Sequence, residues 1–301
     1  EGDEVIVPEC TWTATAAPVT YLKAKPVFVD IDADNWCICP NSVRSKINEK
    51  TKAIIFVDLY GNMPKIEELE AISKEYNIPL IEDAAEALGS KYKSTRAGKF
   101  GVASVHSFHR TKTITSGEGG ALLLDNVELF ERAKFLRDHG RSPDIPYFTL
   151  EATPKYMPSN LQASVAWAQF QRIEELVNRK RYLLHRYKDI LADLNDLQFN
   201  QENNDVYNGV WATSLVIGES YGIGKLQFLE ELKELGVPAR PFFYPLSSLP
   251  AYKSYHGSES INPVAYAISS RGITLPCHYE LTDEQIDFIC NGIRKVLHKN
   301  A

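Results

Sequence analysis

The chain has 301 residues, 44 % of them apolar and 24 % charged, and a formal net charge of −6. That length suggests about two domains and is ample for a large core, and the acidic balance argues against a nucleic-acid surface. No apolar run approaches the ~18 residues that a membrane-spanning helix needs, so a cytoplasmic enzyme is the expected class.

In chain order, the first predicted strand covers 4–7 and runs into Pro8-Glu-Cys-Thr-Trp12. An aromatic ring at a strand exit can stack on a flat cofactor. Taken singly, Trp12 reads as a core or surface tryptophan. Further buried strands are predicted at 26–30 and 53–57, a helix at 66–76, and a short strand at 79–81 that ends in Glu82-Asp83. Asp83 has two readings. It caps the helix expected after it, or, at the ligand edge of a sheet, it pairs with a protonated pyridine nitrogen.

A strand at 103–108 comes next, then Lys112, then Gly117-Glu-Gly-Gly120 and a strand at 121–124. A lysine at random is a solvated charge. One held at the mouth of a sheet is a candidate Schiff-base nucleophile. With a carboxylate on the same edge, it suits pyridoxal phosphate. The glycine cluster reads as a tight turn, with close approach to a phosphate as the alternative.

Residues 162–194 show one long helical pattern, in which Trp167 and Phe170 are expected in the core. An exposed loop is predicted at 200–205, a strand-like run at 206–216, a helix at 228–235 and a closing helix near 283–298. Arg240 either grips a phosphate or carboxylate or is a surface charge before a proline. The neighbouring Phe242, Phe243 and Tyr244 favour a substrate pocket. The alternation of strands and helices predicts an α/β fold with a mostly parallel central sheet flanked by helices. A larger domain is expected at 1–185 and a smaller one at 186–301. The five cysteines include no Cys-x-x-Cys and the seven histidines no His-x-x-x-His. Reduced thiols and no metal site are therefore expected.

Several blocks occur in order and at suitable distances: Gly2-Asp-Glu-Val-Ile-Val-Pro8, Thr11-Trp-Thr-Ala-Thr15, Val27-Phe-Val-Asp-Ile31, Glu82-Asp-Ala-Ala-Glu-Ala-Leu-Gly89, Ser107-Phe-His-Arg-Thr-Lys112 and Gly117-Glu-Gly-Gly120. Together they resemble the DegT/StrS family of sugar-nucleotide aminotransferases, a branch of the fold-type I pyridoxal-phosphate enzymes. Leu136-Arg-Asp-His-Gly140, Ser159-Asn-Leu-Gln-Ala163 and Arg240-Pro-Phe-Phe-Tyr-Pro-Leu246 extend the likeness over nearly the whole chain.

The resemblance implies an aspartate-aminotransferase-like fold with a smaller C-terminal α+β domain. Lys112 would carry the pyridoxal 5'-phosphate, Asp83 would meet the pyridine nitrogen, and Trp12 would stack on the ring. Glu86 would lie near the ring oxygen and Ser107 would reach the phosphate. Asn160 would extend toward a neighbouring subunit's site in a homodimer. His109, Arg240 and Tyr244 are the candidate substrate contacts. Met157 stands where relatives carry a polar residue. By the same likeness the chain opens inside the large domain, and a segment with a further phosphate loop is expected upstream.

The Arg240 block and Glu86 most resemble the perosamine-forming branch. That branch implies amination of C4 of a 4-keto-6-deoxy sugar nucleotide, GDP-4-keto-6-deoxymannose, by L-glutamate. Amination at C3 or of a UDP- or dTDP-linked sugar stays open. A same-fold dehydratase is disfavoured, because those relatives carry histidine where Lys112 stands. An inactive binding or regulatory homologue is disfavoured by the joint presence of Lys112, Asp83 and Trp12.

Overall fold

The apolar runs of the first part of the chain become the strands of one sheet. The computed structural model describes residues 1–255 and 257–300. β1 (Glu4–Pro8) leads through α1 (Ala17–Tyr21) to β2 (Lys25–Val29). Then come α2 (Pro40–Lys46), β3 (Thr51–Val57), α3 (Ile66–Tyr76) and β4 (Leu80–Asp83). A short ribbon, β5 (Lys91–Tyr92) and β6 (Thr95–Arg96), precedes β7 (Ala103–Ser107) and β8 (Gly120–Leu123).

The main sheet has six strands in the order β2-β1-β3-β4-β7-β8. Every pairing is parallel except β7 with β8. Ile6, Val7, Val29, Ile54 and Phe56 are buried in it, as a parallel sheet covered on both faces requires. The register Val57↔Asp83↔Val105 brings β3, β4 and β7 to one level at their C-terminal ends. α3 follows from its pattern: Ile66, Leu69 and Ile72 share its buried face. Glu67 and Glu68 occupy its first turn, where the helix dipole favours negative charge. The glycine cluster forms the turn into β8. Gly119 has φ +131°, and a Cβ on Gly120 would lie 2.6 Å from the His106 carbonyl oxygen.

The remainder is α4 (Val127–Leu136), α5 (Asn160–Phe170), α6 (Ile173–Ile190), β9 (Leu197–Phe199), β10 (Val206–Tyr207) and β11 (Ser214–Ile217). α7 (Lys225–Glu234), β12 (Arg240–Pro241), α8 (Pro263–Arg271), β13 (Gly272–Thr274) and α9 (Asp283–Asn300) complete it. β10 joins the β5–β6 ribbon, and an antiparallel sheet runs β12-β13-β11-β9. Leu183, Tyr187, Leu215, Phe228, Ile286 and Ile293 build a second core beneath it.

Three expectations need correction. The pattern at 162–194 is two helices, not one. Arg172 leaves helical geometry (φ −108°, ψ 14°), and its guanidinium pairs with Glu175 in the first turn of the new helix at 2.7 Å. Trp167 and Phe170 are not core residues: they are 65 % and 47 % exposed, and α5 buries no residue within this chain. Helical spacing of apolar residues marks a face to be covered, not what covers it. The run at 206–216 is not one strand. Val210 adopts φ +53° and its amide donates to the Asn208 side chain at 2.6 Å, which turns the chain out between β10 and β11. The expected domain boundary at 185/186 falls within α6.

Two carboxylates join the first part of the chain to the last. Glu9, fully buried, accepts from the Ser247 amide at 2.8 Å and from the Asn262 side chain. Asp30, just after β2, accepts from the Val264 and Ala265 amides at 3.1 and 2.8 Å and so caps α8 from another segment. Asp30→Ala would leave both helix amides without a partner. A loss of about 2 kcal/mol is expected, read as a lower urea midpoint at unchanged slope; an unshifted midpoint would contradict this role.

Candidate active site

Loops that leave the C-terminal ends of parallel strands converge on one edge, where ligands collect. Here that edge gathers residues from several segments. Asp83 ends β4. Its carboxylate accepts from the Thr15 hydroxyl at 2.7 Å and from the Ala85 amide at 3.2 Å. No helix follows it, since residues 84–89 form turns. The helix-cap reading of Asp83 is therefore corrected: the carboxylate caps a turn and keeps capacity for a further partner. Thr15 closes the short 3-10 turn Thr13–Thr15 that begins beside Trp12. The same run thus supplies a donor to Asp83 and a half-free indole. Trp12 is 59 % exposed and its ring lies 6.1 Å from that of Phe243, tilted by 44°.

Glu86 is buried, three residues past Asp83. Its carboxylate accepts from the Tyr60 amide at 2.8 Å and from the Lys112 ammonium at 3.3 Å. Burial pushes the Glu86 carboxyl up, the Lys112 charge and the Tyr60 amide pull it back, and the Asp83 charge pushes it up again. Glu86 thus meets Lys112 directly, three residues after the strand end that carries Asp83. The Lys112 ammonium also lies 4.1 Å from the centre of the Trp211 ring. Trp211, Tyr60 and Phe243 are near-parallel, with ring planes 5° to 15° apart. Tyr60 holds this arrangement from a left-handed backbone (φ 55°), a conformation that costs energy for a residue with a side chain.

Ser107 ends β7, and its hydroxyl accepts from the His109 amide at 3.2 Å. His109 meets the Thr111 hydroxyl at 3.0 Å and faces Glu118 at 3.7 Å. Tyr244 is half-exposed and lies over the buried Lys225 ammonium, 4.0 Å from its ring centre. Arg240 is exposed on β12, and Asn160 is exposed at the first turn of α5. Neither side chain touches the Asp83–Glu86–Lys112 cluster through a hydrogen bond or ion pair among the described residues. A cavity of about 600 Å³, lined by His139, Arg141, Tyr147 and Thr153, lies apart from the cluster.

Sequence reading missed Trp211, Tyr60 and Thr15. Trp211 sits in the run read as a strand, and no spacing ties it to Lys112. The cluster fits pyridoxal phosphate in its donor set. An anionic carboxylate with spare capacity, a lysine amine and an exposed aromatic face stand on one sheet edge.

The model of the DegT/DnrJ/EryC1/StrS aminotransferase family matches residues 1–294. The chain is 34 % identical over 295 residues to the GDP-perosamine synthase of Escherichia coli O157:H7, covering 98 % of this chain and 79 % of that protein. Spr1654 of Streptococcus pneumoniae, a sugar aminotransferase by assignment, superposes in its PMP form with a TM-score of 0.92 at 28 % identity. That match covers 100 % of this chain and 83 % of Spr1654. DesI, solved with its TDP-sugar product, superposes with a TM-score of 0.90 at 28 % identity, over 98 % of this chain and 75 % of DesI.

Behind the cluster, Asp58 follows β3, fully buried, with its carboxyl set against the Glu82 carboxylate. Burial first, then the Glu82 carboxylate beside it and Asp83, hold its carboxyl well above the usual range. Glu82 accepts from the Gly98 and Phe100 amides and the Ser104 hydroxyl at 2.8, 2.9 and 2.6 Å. A carboxyl raised in the native state keeps a proton that the unfolded chain releases. Its contribution is complete below the unfolded value, near 3.9, and is lost as pH rises toward the native value, at about 1.4 kcal/mol per pH unit. Asp58→Asn removes that loss. The urea midpoint of the variant should gain on the parent between about pH 5 and about pH 7; a constant difference would show that Asp58 ionises in the folded protein.

Proposed function

The chain belongs to the DegT/DnrJ/EryC1/StrS aminotransferase family, and we propose that it moves an amino group from L-glutamate to C4 of GDP-4-keto-6-deoxymannose. It is a pyridoxal-phosphate-dependent sugar aminotransferase. The finer substrate assignment is supported by the likeness to GDP-perosamine synthases from several bacteria. A dTDP-linked substrate is the second reading, and the likeness to DesI favours it.

Bound pyridoxal phosphate supplies an electron-withdrawing ring that lets a proton leave the carbon bearing the amino group. The observation that carries the assignment of residues is the shared environment of Lys112 and Asp83 around Glu86. Lys112 bonds the cofactor and, once its amine is free, moves the proton as general base and then general acid at Nζ. Asp83, steadied by Thr15, holds the pyridine nitrogen protonated. Trp12 would stack on the cofactor ring, Glu86 would lie near its ring oxygen and Ser107 would hold its phosphate. His109, Arg240 and Tyr244 contact the sugar nucleotide. In this reading residues 1–185 form the cofactor domain around the six-stranded sheet and 186–301 the smaller domain around the β12-β13-β11-β9 sheet, with β10 pairing back onto the β5–β6 ribbon.

A homodimer with shared sites belongs to the same proposal, and Asn160 would reach the neighbouring site. The support is an apolar face that this chain leaves bare: Leu129 and Phe130 on α4, and Leu161, Val165, Trp167 and Phe170 on α5, are all exposed. Faces of that kind mark association surfaces. A cytoplasmic setting fits five cysteines without a disulfide.

Incubation of a panel of keto sugar nucleotides with glutamate and pyridoxal phosphate, read by mass spectrometry, tests the substrate. Amination of the GDP-linked C4 ketone is expected, and amination of only dTDP- or UDP-linked sugars would overturn it. Lys112→Ala should lose the visible absorbance of the lysine-bound cofactor together with all turnover, and retained turnover would refute the role of Lys112. Trp167→Asp should convert a dimer to monomers in sedimentation, whereas an unchanged dimer would remove α5 from the interface.

A further inference from the structure

Trp211 joins the catalytic lysine to the rest of the site by three contacts. Its ring carries the Lys112 ammonium at 4.1 Å from the ring centre. Its indole nitrogen donates to the Thr111 carbonyl at 2.7 Å, one residue before that lysine. Its own amide donates to the Tyr60 carbonyl at 3.2 Å. Tyr60 in turn donates its amide to Glu86, and Glu86 accepts from Lys112. The contacts close a ring of Lys112, Glu86, Tyr60 and Trp211. Its members come from segments far apart in sequence and are packed against Phe243. The Lys112 side chain is 14 % exposed, so its charge is matched by one carboxylate and one aromatic face with little water. Both are attractive partners for an ammonium in a partly dry site.

We propose that Trp211 and Glu86 form the rest position of the Lys112 amine whenever it is not bonded to the cofactor, with Trp211 as the positioning residue. This rests on the reading of Lys112 as the cofactor lysine. A long flexible side chain released into water loses orientation, and about 2 kcal/mol of rotamer freedom opposes its return. An amine kept between Glu86 and the indole face stays beside the reacting carbon, ready to take and return the proton. Nothing covalent is required of Trp211. It presents a face to the ammonium and, through Thr111, fixes the backbone that carries it.

The first readout needs no turnover. In cofactor-free protein whose lysines carry ¹³C-methyl groups by reductive methylation, an amine above an indole face is shielded by the ring current. The Lys112 signal, assigned by its loss in Lys112→Met, should lie upfield of the other lysines. Trp211→Leu should return it to their position, and Trp211→Phe should keep part of the displacement. Because Trp211 is buried, Glu86→Gln serves as a second variant that leaves the aromatic packing alone and should loosen the same signal. A Lys112 signal among the surface lysines in the parent, or one unmoved by Trp211→Leu, overturns the rest position.

The second readout is the glutamate half-reaction. Its rate should fall roughly three- to thirtyfold in Trp211→Leu with KM for glutamate little changed, and Trp211→Phe should recover most of it. A rise in KM alone, or equal losses in both variants, would reduce Trp211 to a packing residue. If the parent aminates no sugar, the functional reading fails while the resonance still decides the rest position.

Discussion

Parallel pairing in the register Val57↔Asp83↔Val105 forces three chain exits onto one edge of the sheet, and every contact of the candidate site hangs from that edge. The exit of β3 delivers Asp58 and Tyr60, the exit of β4 delivers Asp83 and Glu86, and the exit of β7 delivers Ser107 and Lys112. A shift of one residue in a strand would turn each of these side chains to the opposite face. The burial of Ile54, Phe56 and Leu80 on the sheet sets the register, because apolar area cannot be moved into water without loss. The chemistry is thereby tied to the core.

The charges near that edge are settled mainly by backbone amides, not by cations. Glu9, Asp30, Glu82 and Asp83 each accept from at least one main-chain donor. Glu86 also takes an amide, from Tyr60, but differs in that it meets a side-chain ammonium as well. Buried anions held by oriented amides hold their place without neutralising one another's partners. Lys112 meets one carboxylate and one indole face.

The molecule also shows two kinds of apolar surface. Trp211, Tyr60 and Phe243 are packed face to face behind Lys112 and shape the site from inside. α4 and α5 carry apolar residues that point out of this chain. The first kind is covered within the subunit, and the second is left exposed among the described residues.

Local sequence determined what local physics controls. Continuous apolar runs had to be buried strands, the helix at 66–76 followed from apolar spacing, and the glycine cluster had to be a turn. The residue types at 83 and 112 were compatible with a cofactor site but left the helix-cap and solvated-charge readings open, and the ordered family blocks around them carried the expected chemistry. What the sequence could not carry was long-range or relational. Trp211 reaches Lys112 from far along the chain, through a loop whose course depends on the left-handed Val210 and the Asn208 side chain. Trp167 and Phe170 have the spacing of a core face, and only the packing of whole elements shows that no described residue buries them. The break at Arg172 and the absent helix after Asp83 were likewise decided by tertiary contacts, since propensity is a weak prior that an ion pair or a packed turn overrides. Periodicity records which side of an element is apolar; the partner for that side is chosen only when the chain is assembled.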